Sequence, residues 1–187
     1  MEPVNLFAID RYWFLTWTTY GSWLPGDARG YVGVAIDESG RAVNHNQYGT
    51  PAAPPNESLR ESARRSLKST PIVLTQAQAE SLFTQLQETA KIRRWLLIAV
   101  AIMQTHLHLV VGVHGDPDPD KVLGDFKAYG SRCLNQGWGQ PKSETWWTTG
   151  GSTRKLADDL AVETVVPYIR QQPNSLLIWT RETGQAK

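Results

Sequence analysis

A chain of 187 residues is long enough to bury a sizeable core within one domain. Its formal net charge of +1 lacks the bulk positive charge of a typical nucleic-acid binder, and its single cysteine, Cys133, excludes an intramolecular disulfide and a cysteine-rich zinc site. No basic start leads into a long apolar stretch, and the longest apolar run, residues 95–103, is too short to span a bilayer, so a soluble cytoplasmic protein with no membrane partner is expected.

In chain order, residues 11–20 alternate aromatic and threonine positions and predict a strand. Residues 21–70 are rich in Gly, Pro, Asn and Ser and read as a polar excursion with one short helix near 57–67. Residues 74–94 predict a helix with Thr75 as N-cap and an apolar stripe of Leu82, Phe83, Leu86, Ala90 and Ile92. Residues 95–103 and 106–114 predict two buried strands, paired antiparallel through a tight turn at Gln104-Thr105. Residues 119–135 predict a second helix with Val122, Leu123, Phe126, Cys133 and Leu134 on its apolar side. A fourth strand is expected at 145–149, a last helix at 156–172 and a short strand at 176–180. This order predicts an α+β fold of the ferredoxin-like, split βαβ type: an antiparallel sheet, helices on one face, and a C-terminal helix bearing a tyrosine. Residues 1–187 are read as a single domain.

Charge is uneven along the chain. Arg60, Arg64, Arg65 and Lys68 cluster against Glu61, and Lys91, Arg93 and Arg94 precede the central strands. Such runs are usually solvated faces. Of the eight tryptophans, Trp146 and Trp147 are adjacent, so on a strand they face opposite sides and one is free to stack on an unpaired base, although a core role suits each taken singly.

The most informative feature is the pair His106 and His108 inside an otherwise apolar run. Residues i and i+2 of a strand share a face, so both imidazoles project together, close enough to hold one metal ion, while Leu107, Leu109, Val111 and Val113 face the other way. The triplet alone leaves a half-buried structural histidine pair as an equal alternative. Far down the chain, Tyr168 and Gln172 are four apart and share a face of the last helix.

The combination resembles the single-tyrosine HUH transposases, the group that includes insertion-sequence transposases and REP-associated tyrosine transposases. Five stretches carry the resemblance, in the family's order: 12–18, 103–109, 126–135, 146–152 and 168–172. The resemblance implies that Tyr168 attacks a single-stranded DNA phosphate, forms a covalent 5′-phosphotyrosine and releases a 3′-hydroxyl, which later rejoins DNA without ATP. His106 and His108 would hold a divalent cation, with Gln172 as a third, neutral ligand; so open a ligand set suits Mg²⁺ or Mn²⁺ better than a closed zinc site. The cation would act as a Lewis acid on the scissile phosphate. The family further implies hairpin-containing single-stranded DNA as partner, a homodimer in which the tyrosine helix can serve the other subunit, and a place on the bacterial nucleoid. Lys127, Arg132, Lys142, Arg154 and Lys155 lie near the expected site, and Lys127, Arg132, Arg154 and Lys155 are candidates for DNA contact.

Pro167 directly precedes Tyr168, so the last helix is expected either to kink there, as a hinge for Tyr168, or to begin there. Tyr129 is the rival nucleophile, but position 133 offers Cys133 instead of a ligand four residues on. His45 and His114 lie outside both motifs. Two other readings stand beside this one: a non-catalytic single-stranded nucleic-acid-binding protein on the same scaffold, and a metal-dependent small-molecule enzyme using the histidine pair.

Overall fold

The computed structural model describes residues 9–31, 34–36, 39–45 and 51–184. Along these run β1 (Arg11–Thr18), a small hairpin of β2 (Val34–Ile36) and β3 (Ala42–Asn44), α1 (Glu57–Arg65), α2 (Gln76–Arg93), β4 (Leu96–Met103) and β5 (His106–Val113). They are followed by α3 (Pro119–Trp138), β6 (Ser152–Leu156), α4 (Asp159–Arg170) and β7 (Ser175–Thr180). The main sheet has the order β6-β1-β5-β4-β7, and every neighbouring pair is antiparallel. Without β7, the units β1-α2-β4 and β5-α3-β6 interleave as the expected split βαβ; β7 extends the sheet beyond β4.

Period-two alternation decides which residues meet which helices. Trp13, Leu15 and Trp17 of β1 and Leu107, Leu109, Val111 and Val113 of β5 bury one face of the sheet against α2 and α3, where Leu82, Leu86, Phe126 and Leu134 complete the main core. Burying each of the large aliphatic side chains stabilises the fold by about 1.5–3 kcal/mol. The opposite face is covered by α4, whose Val162, Val165, Val166 and Ile169 pack on Ala99, Ala101, Met103 and Val110. Small alanines on β4 let that helix approach the sheet. The histidines lie on this second face.

Caps fix the helix starts. Thr75 accepts from the Gln78 amide while the Gln78 side chain accepts from the Thr75 amide, a reciprocal capping box at α2. Asp118 caps α3, with Pro119 in the first turn, and Asp158 caps α4 by accepting from Ala161 N–H at 2.8 Å.

Several expectations are corrected. The strand expected at 145–149 is a single bridge between Thr19 and Trp147. Local side-chain bonds from Ser143 to the Thr145 carbonyl and between Thr145 and Trp147 hold this segment as a turn, with Glu144 at φ 65°. The fourth strand of the split βαβ is β6, whose exposed Arg154 and Lys155 suit an edge. Leu156 therefore ends a strand, and the last helix starts at Asp159. Ile92 drops out of the α2 stripe at 66 % exposure. Trp146 and Trp147 are both buried, with indole N–H groups donating to Asn135 Oδ1 and the Lys127 carbonyl, so neither is presented to a base. The excursion contains α1 as expected, and also the β2–β3 hairpin, too short for any pattern to reveal.

Candidate active site

The turn at Gln104-Thr105 starts β5, and the strand's first and third residues put His106 and His108 on the α4 face. Their ring centroids lie 5.2 Å apart with the planes nearly perpendicular. Thr16 sits directly opposite His108 in the β1–β5 register, and its Oγ1 is 2.8 Å from His108 Nδ1. Thr105 Oγ1 is 3.2 Å from His106 Nδ1. In the tautomer that donates from Nδ1 to these hydroxyls, each ring keeps its Nε2 lone pair for a ligand.

Burial holds both imidazoles in their neutral form. It pushes His108 down to about 4, helped by the neighbouring His106, and lowers His106, on which the charge of the Arg29 guanidinium also acts. A neutral imidazole is the form that binds a metal. The donor set thus fits a cation at this pair, although among the described residues no cluster of three or more His, Cys, Asp or Glu side chains could hold one.

Tyr168 reaches this pair from α4. The helix buries Val162, Val165, Val166 and Ile169, which leaves residue 168 on the flank of the contact, 51 % exposed. The tyrosine ring lies 5.5 Å from the His108 ring and packs edge-on to Phe14 at 6.1 Å. Phe14 also lies 5.4 Å from His108, so one aromatic side chain of β1 braces both. Within one chain, the Tyr168 ring therefore packs against His108, whose own ring neighbours His106. The helix runs continuously through Pro167, so it does not begin there, and Gln171 N–H closes on the Pro167 carbonyl at 3.1 Å. Gln172 lies past the last turn of α4, and its side-chain amide donates back to the Tyr168 carbonyl at 3.1 Å. Among the described residues, that is its side-chain partner; no contact with the histidines joins it to the site.

The cationic candidates separate by sheet face. Arg154 pairs with Phe14 across β6–β1 and so lies on the histidine face, exposed. Lys155 points to the other face. Lys127 donates to the carbonyls of Thr148 and Gly150 at 2.7 and 2.6 Å, and burial pushes its ammonium down to about 8, so it ties α3 to that turn. Arg132 lies 4.9 Å from the centroid of the Tyr129 ring, on α3 and across the sheet from the histidines. His45 Nδ1 donates to the Pro51 carbonyl at 2.7 Å. Thr16, Thr105, Phe14 and Arg29 complete the surroundings of the pair, and no spacing rule links any of them to it.

Several solved structures resemble the chain distantly, two of them described as transposases. A protein described as a transposase from Deinococcus radiodurans R1 is 16% identical, covers 92% of this chain and 98% of its own, and superposes with a TM-score of 0.43. A REP-associated tyrosine transposase bound to a REP hairpin is 13% identical over 94% of this chain and 81% of its own, with a TM-score of 0.46. No curated protein matches the chain. Residues 66–172, more than half of the chain and including both histidines and Tyr168, match the family described as Transposase IS200 like. The chain belongs to the IS200-like transposase family.

Proposed function

We propose that this transposase cuts and rejoins single-stranded DNA through Tyr168. The observation that carries the reading is the exposed Tyr168 ring packed against His108 on the one sheet face where two neutral imidazoles stand together. The Tyr168 hydroxyl oxygen forms a bond to the scissile phosphorus and loses its proton to solvent. The bond from phosphorus to the 3′ oxygen breaks, and that oxygen takes a proton to leave as a 3′-hydroxyl. The 5′ end stays on Tyr168 until a 3′-hydroxyl attacks the linkage and reverses these exchanges.

Phosphodiester cleavage needs an in-line nucleophile and neutralised phosphate oxygens. His106 and His108 would hold a divalent ion, Mg²⁺ or Mn²⁺, which supplies Lewis-acid polarisation when bound. Thr16 and Thr105 keep the two rings turned with Nδ1 occupied. Gln172, whose Nε2 donates to the Tyr168 carbonyl, would offer Oε1 as a third ligand, and we assign that contact to the DNA-bound state. Arg154 flanks the site on the same face and would contact the strand's backbone. Hairpin-containing DNA and a homodimer complete the proposal. The non-catalytic reading draws no support from Trp146 and Trp147, both buried.

The test is covalent-adduct formation with labelled single-stranded DNA from either side of the encoding gene, in Mg²⁺ or Mn²⁺, on a denaturing gel. An adduct retained in Tyr129→Phe and lost in Tyr168→Phe, with the melting temperature unchanged in both, is expected. Hairpin binding without any adduct in either metal would instead favour the binding-protein reading.

A further inference from the structure

The polar excursion supplies an arginine that the histidine motif does not predict. After β1, Ser22 Oγ donates to the Thr19 and Thr105 carbonyls at 2.8 and 3.1 Å, which fastens the excursion to the turn that starts the histidine strand. Arg29 Nη2 donates to the Ser22 carbonyl at 3.2 Å. Its Nε and Nη2 grip Asp27 at 2.8 and 2.9 Å, and its guanidinium lies 4.7 Å from the centroid of the Trp23 ring. The Trp23 indole is itself fixed, donating to the Gly30 carbonyl at 2.7 Å. Gly26, at φ +83°, fits this turn because a Cβ there would lie 2.2 Å from the Asn56 carbonyl oxygen at the start of α1.

This is a pre-set guanidinium. Asp27, its side chain only 13% exposed, holds one edge of the fork, while the Arg29 side chain remains 54% exposed. Among the described residues, Nη1 has no hydrogen-bond partner. Ordering a long side chain before binding removes that entropic cost from the binding step. A planar fork on an aromatic ring suits a phosphate better than an ammonium does. Ser22, which Arg29 grips by its carbonyl, donates its hydroxyl to the carbonyl of Thr105, the residue before His106, so these bonds tie the guanidinium to the start of the histidine strand.

We propose that Arg29, laid on Trp23 and anchored by Asp27 and Ser22, seats a backbone phosphate of the DNA strand entering the histidine–tyrosine site. The proposal rests on reading that site as one for single-stranded DNA. Its role is positioning: Arg29 grips a phosphate near the scissile one and sets the strand's register on Tyr168.

The test is a methylphosphonate scan of the single-stranded substrate, each variant oligonucleotide neutralising one phosphate, with binding followed by fluorescence anisotropy in EDTA so that neither metal nor cleavage enters. For the wild-type chain, one position within a few nucleotides of the cleavage point should weaken binding about 10- to 100-fold. Arg29→Gln should bind the unmodified strand weaker by the same factor and show no further loss at that position. Arg29→Lys, a milder change should Arg29→Gln fail to fold, should show a reduced loss there. A loss at that position that persists unchanged in either variant, with lowered thermal stability alone, would overturn the proposal and make Arg29 a structural tie for the loop. A wild-type chain that binds the strand yet forms no adduct would sink the strand-transfer reading while the scan still decides Arg29. A wild-type chain that binds no single-stranded DNA would sink both.

Discussion

The two faces of the central sheet are made from the same strands and obey opposite rules. Toward α2 and α3, β1 and β5 present tryptophan, leucine and valine to a continuous core. Toward α4, the same strands present Thr16, Phe14, His106 and His108, and the apolar packing is confined to the half of the face that α4 covers with valines. Removing apolar area from the first face should cost stability; removing a polar group from the second should cost activity. A buried and a half-buried imidazole with hydroxyl partners and, among the described residues, no acid clustered with them make sense as a site kept ready for a ligand.

The sharpest way to break this contrast is on the second face. His106→Ala or His108→Ala should lower the rate of metal-dependent adduct formation at least ~10³-fold, the scale of losing a central electrostatic element, with a thermal midpoint close to wild type. Rates measured at saturating Mn²⁺ decide it; near-normal rates would remove the histidines from catalysis. On the first face, Leu109→Ala should destabilise the chain by about 2–5 kcal/mol in urea unfolding while the folded fraction keeps its adduct-forming rate.

Acid offers a third comparison. Burial holds His108 at about 4 against an ordinary 6.5, so the unfolded chain takes up its proton below 6.5 while the folded chain resists until about 4. Stability of the metal-free protein is therefore full above 6.5 and falls as pH drops from 6.5 to 4, by up to about 3 kcal/mol from this group. Urea titrations in EDTA across that window should show the slope, and His108→Gln should flatten it. The smallest effect concerns orientation. Thr16→Val removes the hydroxyl facing His108 Nδ1 and should weaken metal affinity about 10- to 100-fold, measured by Mn²⁺ titration; an unchanged affinity would mean that the ring is oriented by packing alone.

The sequence reveals the site's poles better than its frame. His106 and His108 are legible because strand periodicity is local, and the Tyr168 helix is legible because four buried positions recur at helical spacing. Thr75 and Gln78 announce α2 for the same reason. Thr16 could not be foreseen as the partner of His108, since that pairing depends on the register of strands 92 residues apart. β6 escaped notice because an exposed edge strand shows no alternation through Arg154 and Lys155, and Trp146-Trp147 mimicked a strand while side-chain bonds bent its backbone into a turn. Arg29 lies in a stretch whose composition reads only as loop, and its meaning comes from Trp23, Asp27 and Ser22 folding around it.

The central claim is that the tyrosine packed on the histidine pair is the nucleophile. The most direct measurement is to trap the protein–DNA adduct with Mn²⁺, digest both components and locate the nucleotide-bearing peptide by mass spectrometry. The account predicts a 5′-linked nucleotide on Tyr168. A nucleotide on Tyr129, across the sheet from the histidines, or on any residue other than a tyrosine would contradict it.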